Sequence, residues 1–199
     1  MYVIGLTGGI ASGKSTVSAI LRNEGAYIID TDRIAHDITL PHQPAWRDIV
    51  EHFGKGILLT DGTIDRRRLG QMVFNDAKKR TRLEEITHPK IKSKVIQEIE
   101  EAKLKAYSLA VLDVPLLFEV GWRDMADEVW VVYVDEQIQL SRLIARNNLS
   151  RQDALARIAA QMSLVDKIKF ADVVINNNGS IEDTQAQVIE AFHQATQKS

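Results

Sequence analysis

Residues 8–15 spell Gly-Gly-Ile-Ala-Ser-Gly-Lys-Ser, a full match to the spacing G-x-x-x-x-G-K-[ST]. An apolar run, Tyr2-Val3-Ile4-Gly5-Leu6-Thr7, leads into them, and an amphipathic stretch from Thr16 to Arg22 follows. Strand, glycine loop and helix in that order is the setting in which such a loop holds phosphate. It also restricts the fold, because a buried strand that feeds a helix belongs to a sheet covered by helices. Glycines let the backbone close round an anion, so the N–H groups of Gly8, Gly9, Ile10, Ala11, Ser12 and Gly13 and the helix start at Lys14, Ser15 and Thr16 can face it. Lys14 has the reach for β- and γ-phosphates, and the Ser15 hydroxyl is a ligand for Mg²⁺. The chain is expected to bind a nucleoside triphosphate.

Further apolar runs with the character of buried parallel strands occur at Ala26–Ile29, Leu109–Val114, Glu128–Val134 and Val173–Ile175. Helical patterns separate them, so the expectation is an α/β fold of three layers around a parallel five-stranded sheet. The interval 34–105 breaks the alternation. It has helix-period segments and a turn at Thr60-Asp61-Gly62 but no convincing central strand, and reads as a helical insertion suited to holding a second substrate. Residues 1–33 and 106–199 then form the nucleotide-binding core. Within the insertion, Glu98 and Glu101 near Lys103 and Lys105 read as a solvated helix face.

At 199 residues the chain can bury a real core. A net charge of −2 gives no general electrostatic reason to bind nucleic acid or an acidic membrane surface. The absence of cysteine rules out disulfides and thiolate metal sites. No basic region precedes the first apolar run, which ends early at Gly8-Gly9, and no segment approaches the ~20 apolar residues of a membrane span. A cytoplasmic protein with small-molecule partners is expected, its oligomeric state left open.

Two acids end the second strand in Ile29-Asp30-Thr31-Asp32. Ligands of open α/β sheets lie beyond the carboxyl ends of strands, where such acids are expected to face the phosphate loop. Asp30 reads as a helix cap and Asp32 as the group that orients, and takes the proton from, an attacking hydroxyl. Asp113 ends the run Val111-Leu112-Asp113, the position from which an aspartate holds Mg²⁺ directly or through water. Leu116-Leu117-Phe118-Glu119 follows, readable as core packing or as a wall of the acceptor pocket with Glu119 touching metal shell or substrate.

Residues 136–161 carry Arg142, Arg146, Arg151 and Arg157 in two helical segments broken at Asn147-Asn148-Leu149-Ser150. Ser150 and Asp153 suggest a capped start for the second segment. Arg142 and Arg146, four apart, share a helix face. Guanidinium groups closing over a γ-phosphate would offset its developing charge and exclude water, so residues 141–163 read as a lid.

Together these segments resemble the dephospho-coenzyme A kinase family. The resemblance rests on residues 6–15 and on Ile29-Asp30-Thr31-Asp32-Arg33-Ile34-Ala35-His36. It extends through Asp61-Gly62 with Arg67-Arg68-Leu69, and through Leu83-Glu84-Glu85-Ile86-Thr87-His88-Pro89. It continues with Asp113 to Glu119, Ala154 to Gln161 and Ala171-Asp172-Val173-Val174-Ile175. It implies ATP-dependent phosphorylation of the ribose 3′-hydroxyl of dephospho-coenzyme A on a P-loop kinase core, with a helical coenzyme-A-binding insertion and a mobile lid. It implies that Asp32 is catalytic, that His88-Pro89 and Leu116-Leu117-Phe118 lie on the acceptor side, and that Arg142 and Arg146 belong to the lid. Adenine contacts are implied near Asn176–Gly179, with Asn177 and Gly179 on the ATP side. Taken alone, Pro89 reads as a helix start. The chain departs from the family pattern at Thr31 (often Ala), His36 (often Arg), and Asn147 and Asn176 (often Asp).

Two other readings compete. Another small-molecule kinase of the same superfamily would need a basic cluster for an acceptor phosphate, which Arg66-Arg67-Arg68 could supply. A nucleotide switch of the GTPase kind would carry an [N/T]-K-x-D guanine motif, which this sequence lacks.

Overall fold

Strands formed by the five apolar runs make a single sheet in the computed structural model, which describes every residue except Asn75 and Ser199. They are β1 (Tyr2–Gly8), β2 (Tyr27–Asp30), β3 (Leu109–Asp113), β4 (Glu128–Tyr133) and β5 (Val173–Asn176). Their spatial order is β2-β3-β1-β4-β5, in a parallel sheet. β1 is central, paired with β3 on one side and β4 on the other, and Leu6 lies in register with Asp113. Val3 to Gly8 and all of β3 are buried, as expected of strands covered on both faces.

The chain divides into two compact units, Met1–Ile29 with Glu101–Ser199, and Asp30–Glu100. In the first, α1 (Lys14–Asn23) buries Val17 and Leu21 into a core shared with Ile4, Leu6, Val111, Trp130 and Val132. Complete burial of an aliphatic side chain such as Leu21 stabilises the fold by about 1.5–3 kcal/mol. At the opposite end of the sheet Glu128 is buried yet satisfied. It accepts hydrogen bonds from the Tyr2 hydroxyl at 3.0 Å, the Trp130 indole at 3.1 Å and the Lys198 ammonium at 2.7 Å. Burial pushes its pKa up, but these donors outweigh that and hold the carboxyl below its ordinary value.

The second unit is helical: α2 (Thr31–Asp37), α3 (Pro44–Phe53), α4 (Arg66–Phe74) and most of α5 (Ala77–Leu104). Its core gathers Ala45, Ile49, Ile57, Ile64, Leu69 and Ile86. The turn at Thr60-Asp61-Gly62 is closed by one antiparallel bridge, Leu58 to Ile64, and Gly62 adopts φ 81° with its carbonyl accepting from the Trp46 indole at 2.9 Å.

Two expectations change here. Pro89 does not start a helix; α5 runs through it. An interior proline removes one helical hydrogen bond and crowds the preceding turn. Side chains reinforce that turn: the Thr87 hydroxyl donates to the Leu83 carbonyl at 2.8 Å, and the Lys90 ammonium to the Ile86 carbonyl at 3.2 Å. Glu98 is not on a solvated face either. It is 9% exposed and faces Arg33 at 3.7 Å, whereas Glu101 does pair with Lys105 on the surface. Helical spacing marks Glu98 as a neighbour of cations but carries no information about the arginine brought to it from another helix.

The first unit also holds α6 (Glu136–Asn147), α7 (Arg151–Ala159), α8 (Leu164–Lys167) and α9 (Ile181–Thr196). Asn148 ends α6 in a left-handed conformation at φ 49°, and Ser150 caps α7 by accepting from the Asp153 N–H, as its sequence suggested. Among the described residues no helix is long and apolar enough to cross a membrane.

Candidate active site

The glycine loop leaves the central strand and turns into α1 through Gly13, whose φ of 96° suits glycine alone. Space demands it as well, because a Cβ there would lie 2.0 Å from the Asn177 amide nitrogen. That amide donates to the Ser12 carbonyl at 2.7 Å, while the Asn177 carbonyl oxygen of the side chain accepts from the Thr184 hydroxyl at 2.9 Å. Asn177 is therefore a buried strut behind the loop. Ala11 takes φ 60°, unusual for a residue with a side chain.

Lys14 opens α1 and its ammonium is hydrogen-bonded to Asp113, the buried acid that ends β3. The register of β1 and β3 puts Leu6 beside Asp113, so the loop that leaves β1 starts next to the acid its lysine meets. Arg142 of α6 donates to the backbone carbonyl of Asn177 at 3.1 Å. Loop residues 8–16, Asp113, Asn177 and Arg142 are thus brought together within one unit. Arg146 is exposed, its guanidinium accepted by the Asn147 side chain at 2.9 Å, and Gly179 lies on the surface before the cap of α9.

Beyond β3, Leu117 is fully buried beneath Gly5, whereas Leu116 is exposed and Phe118 packs on the ring of Phe170 at 5.8 Å. Glu119 is committed to protein groups: it accepts from the Met162 N–H at 3.0 Å and pairs with Lys167 at 3.1 Å. Lys167 has no exposed side-chain surface and also donates to the Pro115 carbonyl at 2.8 Å. Burial pushes its ammonium pKa down, Glu119 opposes that, and the charge of Lys14 adds to the lowering.

Asp32, His88 and Pro89 belong to the second unit. Asp30 caps α2, accepting from the N–H groups of Asp32 and Arg33 at 3.0 Å each, which leaves the exposed Asp32 in the first helical turn. His88 is half-buried on α5. Arg66 is held by His36 Nδ1 at 2.7 Å and the Thr39 hydroxyl at 3.1 Å.

Sequence reasoning missed Lys167, Gln139 and Gln161. Lys167 sits in a one-turn helix among surface charges, and nothing in its neighbours distinguishes it. The glutamines stood inside quoted segments, but their long-range partners have no sequence signal.

Residues 2–183 match the dephospho-CoA kinase family. The chain belongs to that family. A dephospho-CoA kinase from Carboxydothermus hydrogenoformans is 54% identical over 187 residues, 94% of this chain and 91% of that one. Among solved structures, a Thermus thermophilus protein superposes with a TM-score of 0.85 at 33% identity, covering 97% of this chain and 96% of its own. Dephospho-CoA kinase from Campylobacter jejuni does so at 0.74 and 31%, covering 98% of each chain. The family's donor is ATP, which accords with a loop built round Lys14.

Proposed function

We propose that this protein transfers the γ-phosphoryl group of ATP to the ribose 3′-hydroxyl of dephospho-coenzyme A, the final step of coenzyme A biosynthesis. The single observation that carries phosphoryl transfer is the glycine loop with the Lys14 ammonium held at its mouth by Asp113. Family membership names the acceptor.

In this reading the loop amides and the start of α1 hold the triphosphate, and Lys14 exchanges Asp113 for phosphate oxygens. Asp32 orients the 3′-oxygen for in-line attack at the γ-phosphorus. As that bond forms, the bond to the β,γ-bridging oxygen breaks, ADP leaves and Asp32 takes the hydroxyl proton. A carboxylate is a weak base for an alcohol, which suffices when the transition state is loose and proton transfer is late. Arg142 and Arg146 would close over the transferring group and compensate its charge.

The oxygen donors suit Mg²⁺: the Ser15 hydroxyl is exposed in the first turn of α1, and Asp113 becomes available once Lys14 turns to phosphate. Among the described residues no cluster of three acids or histidines could hold a metal, so the ion would lean on these two, on phosphate and on water. When bound, it would draw charge from the phosphate oxygens. His88, Pro89, Leu116 and Phe118 would face the acceptor, with Leu117 shaping the wall from behind. A cytoplasmic setting, where ATP is abundant, is part of the same proposal.

The test is to incubate the protein with Mg-ATP and, separately, dephospho-coenzyme A, AMP, CMP and shikimate, and to identify products by mass and phosphate position. Coenzyme A from the first alone is expected. Transfer only to another acceptor would overturn the reading.

A further inference from the structure

The phosphate loop meets the helices after β4 through the backbone of Ile10, and both polar backbone groups of that residue are taken. The Ile10 N–H donates to Oε1 of Gln161 at 2.8 Å. The Ile10 carbonyl accepts from Nε2 of Gln139, also at 2.8 Å. Gln139 projects from α6 and is buried; Gln161 lies just past α7. The approach is close, since a Cβ on Gly9 would fall 2.6 Å from the Gln139 nitrogen and 3.2 Å from Leu164.

Apolar contacts run the same way. Ile10 and Ala11 pack on the cluster formed by Leu140 and Leu143 of α6 and Ala154 of α7. Gln161 is itself anchored from behind, because the next N–H, of Met162, is held by Glu119, and Glu119 is tied to Lys167, which also donates to the Pro115 carbonyl. The two arginine-bearing helices are thus one wall of the loop.

We propose that Gln139 and Gln161 are positioning residues for the phosphoryl donor. This rests on the kinase reading above and deepens it. A loop that binds an anion through its backbone needs its N–H groups fixed before the anion arrives, and Ala11 at φ 60° stays in a sparsely populated conformation only if its neighbours hold it there. The two amides supply that hold by fixing the Ile10 backbone on both sides of its Cα. They also give α6 and the segment after α7 a direct grip on the loop, so the position of the arginines and the shape of the phosphate cradle change together.

The test replaces each glutamine by methionine, which keeps length and volume but removes the amide, and compares Gln161→Glu, which keeps an acceptor for the Ile10 N–H. Amide exchange over residues 8–16 of the nucleotide-free protein should rise about tenfold in Gln161→Met and stay protected in Gln161→Glu. Mg-ATP dissociation constants and KM for ATP should rise about fivefold or more in the methionine variants, with KM for dephospho-coenzyme A within about twofold. Because both amides hold the backbone of one residue, the double variant should be little worse than the weaker single one. Unchanged exchange over residues 8–16 would overturn the proposal. So would ATP and acceptor constants that move together with a fall in melting temperature. If Gln139→Met does not fold, the half-exposed Gln161 carries the test alone. Exchange and ATP titration need no turnover, so a failed clamp and a wrong acceptor give different results.

Discussion

The side-chain amide of Asn177 donates to the carbonyl of Ser12 at 2.7 Å, joining the turn after β5 to the loop after β1. Replacing it with alanine leaves the Ser12 carbonyl without that donor and costs about 1–3 kcal/mol. Asn177→Asp should do no better, since an oxygen would then face the carbonyl. Both variants should lower the urea midpoint and weaken ATP binding, as denaturation and nucleotide titration would record.

Asp113 has two successive tasks in the proposed cycle, holding Lys14 before ATP arrives and serving Mg²⁺ afterwards. Asp113→Asn should raise the Mg²⁺ concentration for half-maximal rate and reduce turnover by about 10²-fold or more. Lys14→Ala should weaken ATP binding and turnover together. Steady-state rates across an Mg²⁺ titration separate the two variants; a wild-type Mg²⁺ dependence in Asp113→Asn would remove Asp113 from the metal site.

Asp32 lies in the first turn of α2 and is not among the residues that form or hold the loop. Asp32→Asn should therefore leave ATP affinity close to wild type while reducing turnover about 10²–10⁴-fold. Single-turnover rates with a parallel ATP titration would check this, and turnover kept within a few-fold would exclude Asp32 as the proton acceptor.

Glu128 titrates below its ordinary value because its three donors outweigh its burial. A carboxyl with a lowered folded pKa binds fewer protons in the native state, so its contribution is full above the unfolded value of 4.5 and is lost as pH falls through the folded value. Glu128→Gln should be less stable than wild type at neutral pH, and the gap should narrow on acidification below 4.5. Urea midpoints of both proteins from neutral to acidic pH would show it; a constant gap would contradict it.

The sheet was legible in the sequence because buried parallel strands are continuous apolar runs, and the loop because its glycines and lysine have fixed spacing. The caps at Asp30 and Ser150 were legible for the same local reason. Pro89 misled because a proline's cost is local whereas the support for α5 comes from Thr87 and Lys90 side chains and the packing around Ile86. Glu98, Gln161 and Lys167 were opaque, since each is explained by partners that only the fold delivers: Arg33, Ile10 and Glu119.

The centre of the sheet is β1, and both of its neighbours come much later along the chain, from residues 109–113 and 128–133. The strut behind the loop comes later still, at Asn177. During synthesis the glycine loop must wait as an unsupported segment while about 160 further residues are added. A nascent chain stalled before Asn177 therefore carries the whole ATP-binding motif without the geometry that makes it bind, and competence arrives only once that residue is in place.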